Sequence, residues 1–152
     1  MHAETTLPTA ASLPISANAR IRTASWSVVR VVPALALILL ATTWPITDFQ
    51  DHPHWDEVEW IPFTHYFGPF DLVANVILFV PFGLAIGWGS TTPRRALWAL
   101  ALGLGCSLAV EFAQVYSHNR SATVADLITN TAGAWLGARW ALRRATRRSV
   151  RS

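Results

Sequence analysis

A bundle of four membrane-spanning helices is the fold class this sequence predicts, all-α and polytopic, with an interfacial loop on its external side. Three observations predict it. Charged residues make up 14% of the 152 residues against 52% apolar ones, where soluble domains carry about 25% charged. The charges are segregated, so four apolar runs of spanning length stand nearly free of them. Arginines gather at alternate ends of those runs, as the positive-inside rule demands of a multi-pass protein.

The first run covers residues 28–44, through Ala34-Leu35-Ala36-Leu37-Ile38-Leu39-Leu40. The second covers 72–88, the third 96–113 and the fourth 124–142. At 1.5 Å per residue each is roughly 25–30 Å long, the thickness of the hydrocarbon layer. The fourth is the most polar, interrupted by Asp126, Asn130 and Arg139. Its small residues, Ala132, Gly133, Ala134, Gly137 and Ala138, belong on a helix packed closely against partners. Residues 1–25 are rich in Ala, Ser, Thr and Pro and lack the apolar core of a signal peptide; they read as a disordered tail. Residues 26–142 form the membrane domain and 143–152 an arginine-rich tail.

The chain has twelve arginines, no lysine and a net charge of +3. Arg20, Arg22 and Arg30 precede the first span, Arg94 and Arg95 separate the second and third, and six more follow from Arg139. The segment between the first and second spans has no arginine but carries Asp48, Asp51, Asp56, Glu57 and Glu59. Both termini are therefore expected in the cytoplasm, with Arg120 the one arginine on the external side. Arginines placed at span ends point to membrane lipid headgroups as partners, and not to nucleic acid.

Trp26, Trp44, Trp88, Trp98 and Trp140 fall near span ends, the depth an amphipathic indole prefers. The stretch 52–70 holds Trp55, Trp60, Phe63, Tyr66, Phe67 and Phe70 between Pro53, Pro62 and Pro69. Too broken to span, it is expected to lie along the external interface as a cap. Gly83-x-x-x-Gly87 and Gly133-x-x-x-Gly137 allow helix backbones to approach closely, and Pro81 predicts a bend in the second span.

A single cysteine, Cys106, excludes an internal disulfide and a cysteine cage. His52, His54, His65 and His118 lie in loop-like sequence without repeated ligand spacing, so neither metal nor cofactor is expected.

The topology brings seven polar residues to one depth. Asp71 and Asn75 lie one turn apart at the start of the second span, and Glu111 and Gln114 share a face at the end of the third. Arg120 is in the turn that follows, and Asp126 and Asn130 share a face at the start of the fourth. Several have ordinary structural uses. Asp71 suits a helix N-terminus, Thr123-x-x-Asp126 fits a capping box, and Asn75 and Asn130 can tie helices together. Glu111 fits none of these. It sits near a helix C-terminus, where the dipole disfavours it, between Ser107-Leu108-Ala109-Val110 and Phe112-Ala113. An acid there needs a partner or a proton, and Arg120 is the expected partner.

At these residues the chain resembles the VanZ-like family of small bacterial membrane proteins. The matching stretches are Ile61-Pro62-Phe63, Asp71 to Gly83 with Asn75 and Pro81, Glu111-Phe112-Ala113-Gln114, Arg120, and Asp126 to Gly137 with Asn130 and Gly133. The resemblance covers roughly residues 60–140. It implies a four-helix protein of the bacterial inner membrane, and the same seven residues are the family's polar motif. The family takes its name from a member associated with resistance to glycopeptides, notably teicoplanin. A role in resistance or envelope maintenance is what the resemblance implies here.

The first functional reading is a binding module, whose outward polar pocket holds the head of a lipid-linked envelope precursor or a lipid-tailed glycopeptide. Arg120 would meet an anionic group and the amides and carboxylates would orient the rest. Two alternatives stay open. One is an intramembrane enzyme acting on such a lipid through Glu111, Asp126 and Arg120. The other is an assembly partner in which the polar cluster is structural. Neither catalysis nor oligomeric state is legible in the sequence.

Overall fold

The computed structural model describes residues 15–44, 49–63, 69–117 and 121–150. Four α-helices make up the fold: α1 (Ile15–Thr43), α2 (Pro69–Gly87), α3 (Arg94–Gln114) and α4 (Val124–Ser149). Among the described residues there is no strand, only two isolated bridges, Phe49 to Ser117 and Glu59 to Thr123. A short 3-10 turn, Trp55–Glu57, interrupts the segment between α1 and α2.

Two of the helices, α2 and α3, are long and apolar enough to cross a membrane. In α1 the apolar part is Val28–Thr43, and α4 falls short on hydropathy. The shortfall has a physical origin. Much of α4 faces protein, and all its buried residues but Leu142 are small or polar, among them Ala125, Thr129, Asn130, Gly133, Ala134 and Gly137. A helix that packs by close backbone approach has no need of large apolar side chains on that face.

Two of the helices extend past the apolar runs. Helix α1 begins at Ile15, so the end of the tail expected to be disordered, 1–25, is helical; residues 1–14 lie outside the described residues. Likewise α4 runs on to Ser149 and the arginine tail continues it. Alanine and arginine are strong helix formers, and extending an existing helix avoids the cost of nucleation. Arg147 and Arg148 in the last turn also complement the helix dipole.

The centre of the bundle is the crossing of α2 and α4, the most extensive helix pair, with α3 next against α4. The two glycine motifs meet each other there. A Cβ on Gly83 would run into the carbonyl oxygen of Ala134, and one on Gly87 would stand 2.8 Å from that of Ala138. In return, a Cβ on Gly133 would meet the carbonyl of Val76 and one on Gly137 that of Val80. Each glycine thus presents a Cα–H to a carbonyl of the facing helix, a weak attraction that recurs where helices touch backbone to backbone. The helix is continuous through Pro81.

Large apolar side chains lie mostly outside. Val28, Leu40, Ile77, Leu97, Leu108 and Trp140 are about half exposed or more, whereas Ser107, Asn130, Gln114 and Glu111 are buried. A few large side chains close the interior, chiefly Phe79 and Ile38 at 0% exposure. Through Ala34, Ile38 and Thr42, spaced one turn apart, α1 packs onto this core. Large apolar side chains on the outside with a polar cluster held inside suit a protein whose helices meet hydrocarbon.

Candidate functional site

The site lies at the end of the bundle where α2 and α4 begin and α3 finishes. On α3, Ser107, Glu111 and Gln114 fall on one face at helical spacing and are buried. Leu108 and Phe112 fall on another and are exposed.

Glu111 is the pivot. Its Oε2 accepts the backbone N–H of Thr123 at 2.8 Å. Thr123 is the N-cap of α4, and its hydroxyl accepts the N–H of Asp126 at 2.9 Å. In a complete capping box the acid at the third helical position would return to the cap N–H. Here Glu111, from another helix, takes that role. The Asp126 carboxylate is thereby released and accepts a hydrogen bond from Asn75 Nδ2 at 2.6 Å, which ties α2 to α4. One turn deeper, Asn130 Nδ2 donates to Ser107 Oγ at 3.0 Å and ties α4 to α3.

A further donor at the start of α4 is also met. Val124 N–H bonds to the Glu59 carbonyl at 3.1 Å. That bond is one of four fastening residues 50–59 across the α3–α4 connection. The others are His54 N–H to Val115 O at 2.8 Å, Gln50 N–H to Tyr116 O at 2.8 Å and Glu59 N–H to Ala122 O at 2.9 Å. Carbonyls left over where α3 ends thus hold this segment in place. Residues 49–63 form a strap across this end, and residues 64–68 of the stretch 52–70 expected to form a cap lie outside the described residues. Where Ile61-Pro62-Phe63 ends it, Phe63 takes a φ of 63°, uncommon for a bulky residue.

Under the strap is a cleft of about 460 Å³. Trp55 and Trp60 form its roof, Leu108 and Phe112 of α3 one wall, and Leu127 of α4 another. The Trp55 and Phe112 rings are 6.1 Å apart at 56°, a tilted arrangement favoured by their quadrupoles. The lining is apolar except where Glu111 and Thr123 reach it. Its size is that of a pocket for a small ligand.

This geometry distributes the seven sequence-selected residues differently from a single polar pocket. Among the described residues Glu111 alone of the seven lines the cleft. Asn75, Asp126 and Asn130 bond inside the bundle, and Gln114 is buried near them at 5% exposure. Asp71 is exposed in the first turn of α2. Arg120, with His65 and His118, lies outside the described residues. Among the described residues, the buried acceptors Gln114 Oε1 and Asn130 Oδ1 have no hydrogen-bond partner. Turning the Asn130 amide over would only move the vacancy to its nitrogen.

Two contributors escaped the sequence analysis as site residues. Ser107 precedes Glu111 by one turn, a spacing that marks it as facing the same interior. Thr123 was legible as a cap, but its tie to Glu111 comes only from the fold. Trp55 and Trp60 were legible as part of the aromatic cap, whereas Leu108 and Phe112 gave no signal beyond being apolar.

Among the described residues, no three His, Cys, Asp or Glu side chains gather as metal ligands. In the strap His52 Nδ1 lies 2.9 Å from Asp51 Oδ1, and that hydrogen bond holds the exposed Asp51 carboxyl below its usual range.

A family model described as VanZ/LLP1 matches residues 23–143 of the chain. No curated protein and no solved structure matches it.

Proposed function

The chain belongs to the VanZ/LLP1 family, whose model matches most of its length, and on that premise we propose that it is a four-span membrane protein that binds an amphiphile at its external end. Both termini lie in the cytoplasm of a bacterial cell and all four helices cross the inner membrane. The cleft beneath the strap receives the ligand from the outer leaflet. One observation carries this reading: an apolar cleft of about 460 Å³ roofed by Trp55 and Trp60, with the buried carboxylate of Glu111 at its inner wall. The apolar walls suit an alkyl or prenyl tail, and the carboxylate accepts from a hydroxyl, amine or amide of the head. Arg120, close by in sequence, is the expected contact for an anionic group. A lipid-linked envelope precursor or a lipid-tailed glycopeptide has this chemistry, and protection of the envelope against such a glycopeptide follows from it.

Topology supplies one test. With Cys106 replaced, Asp56→Cys and Ser121→Cys should react with an impermeant thiol reagent added outside intact cells, and Pro93→Cys and Arg147→Cys should not. Labelling of the second pair would place the cleft on the wrong side.

The cleft has its own test. Ala109 lines it and is exposed, so Ala109→Trp should fill the cleft and leave the polar core intact. An alkyl-diazirine amphiphile added to the purified full chain should label the peptide around Leu108 and Phe112 in wild type. In Ala109→Trp that labelling should fall about tenfold or more, as for a blocked apolar site, with helical content unchanged. Equal labelling in both proteins would mean that the cleft is only lipid-facing surface.

A further inference from the structure

The opposite end of the bundle carries a second, differently charged arrangement. From the middle of α4 onward, Arg139, Arg143 and Arg147 follow at intervals of four residues and so share one face. Two hollows meet on that face. One, of about 450 Å³, is an apolar groove with Val80 and Leu84 of α2 on one side and Trp135 and Leu136 of α4 on the other. Arg139 and Arg143 belong to the same groove. The second hollow, of about 360 Å³, shares those two arginines and continues past Arg147 to Thr91 and Thr146.

Among the described residues no acid pairs with these arginines. The sequence has no Asp or Glu from residue 72 to residue 110 and none after Asp126. The end of α2, the connection to α3, the start of α3 and the last turns of α4 are therefore all without carboxylates. The Arg139 guanidinium lies over the Trp135 ring at 5.4 Å. Stacking of this kind occupies the flat face of the ion and leaves its in-plane N–H donors available.

We propose that this face binds an anionic phospholipid of the leaflet at this end. The phosphodiester sits among Arg139, Arg143 and Arg147, and an acyl chain lies along Val80, Leu84 and Leu136. Charge complementarity selects the phosphate. The apolar groove continuous with the arginines selects a phosphate that carries a tail. A free anion or a nucleic acid would leave the groove unused.

Native mass spectrometry of the full chain released from mixed phosphatidylcholine and phosphatidylglycerol vesicles tests this. Phosphatidylglycerol should be retained about tenfold over phosphatidylcholine, the scale expected when one or two arginines engage a lipid charge. Arg139→Gln with Arg143→Gln should bring that ratio close to one. Arg94→Gln with Arg95→Gln removes the same charge from the same end and should leave the ratio unchanged. An equal drop in both variants would mean diffuse attraction and overturn the site, as would no preference in wild type. Displacement of the lipid by millimolar inorganic phosphate would make it a free-anion site and overturn the lipid assignment. If the glutamine variant does not fold, Arg139→Lys with Arg143→Lys keeps both charges and loses only the planar fork. A fall of about threefold would support the site, and an unchanged ratio would overturn it.

Discussion

Gly133→Leu is expected to abolish the folded protein, whereas Gly105→Leu should leave it intact. Both glycines lie in helix interiors, so propensity alone predicts a similar small effect at each. Their surroundings differ. At Gly133 even a methyl group would coincide with the Val76 carbonyl, while at Gly105 nothing stands within 4 Å of an added Cβ. A leucine at Gly133 must push α4 away from α2. The separation also removes the contacts of Gly83, Gly87 and Gly137 and stretches the bond from Asn75 to Asp126. Overpacking of a tight core costs about 1–3 kcal/mol where neighbours can move. Here the obstacle is backbone, so the loss should be at the upper end of that range or beyond it. Thermal unfolding in detergent and abundance in membranes both report it. A Gly133→Leu protein as abundant and as stable as Gly105→Leu would mean that the α2–α4 crossing is not the centre of the fold.

The second large effect separates two roles of Glu111. Glu111→Leu removes the acceptor of the Thr123 N–H and leaves a buried donor without a partner, at a cost of about 1–3 kcal/mol. Glu111→Gln keeps an oxygen of the same shape at that place. It should therefore stay within about 1 kcal/mol of wild type, since a neutral acceptor replaces a charged one. The two variants should part on stability and agree on ligand binding, because both lose the carboxylate at the wall of the cleft. If the acid serves only to cap α4, Glu111→Gln should bind like wild type. Thermal unfolding and amphiphile labelling of the two variants side by side decide between these outcomes.

The sequence disclosed the fold through solvent physics, and its omissions have physical reasons. The four apolar runs predicted four helices in their correct order, because hydrocarbon leaves helices as the simplest way to satisfy the backbone. The outer limits were less legible. Charge ends an apolar run but does not end a helix, so α1 starts at Ile15 and α4 continues to Ser149. The two glycine motifs were visible as surfaces for close approach, but nothing local said that they face each other.

Glu111 stood out as an acid in the wrong place on its helix. Arg120, its expected partner, lies outside the described residues, and the bond to Thr123 could not be read, because a backbone N–H is the same at every residue and only the fold selects that one. Asp126 was legible as a cap residue and as one of the polar cluster, but not as the acceptor for Asn75, a bond it is free to make because Glu111 takes the cap N–H. The cleft was least legible of all. Leu108, Phe112 and Leu127 look in sequence like any lipid-facing residues, and the strap held by Glu59 and His54 backbone bonds turns them into walls.

The central claim is that Glu111 and the cleft beside it hold an amphiphile of the outer leaflet. Its most direct test is the set of lipids that copurify with the full chain from native membranes, identified by mass spectrometry for wild type and Glu111→Gln at equal protein recovery. The account predicts one amphiphile with a polar, donor-bearing head that is enriched over bulk membrane lipid with wild type and reduced to the bulk level with Glu111→Gln. Identical lipid profiles from two equally folded proteins would contradict it and leave Glu111 as the cap of α4.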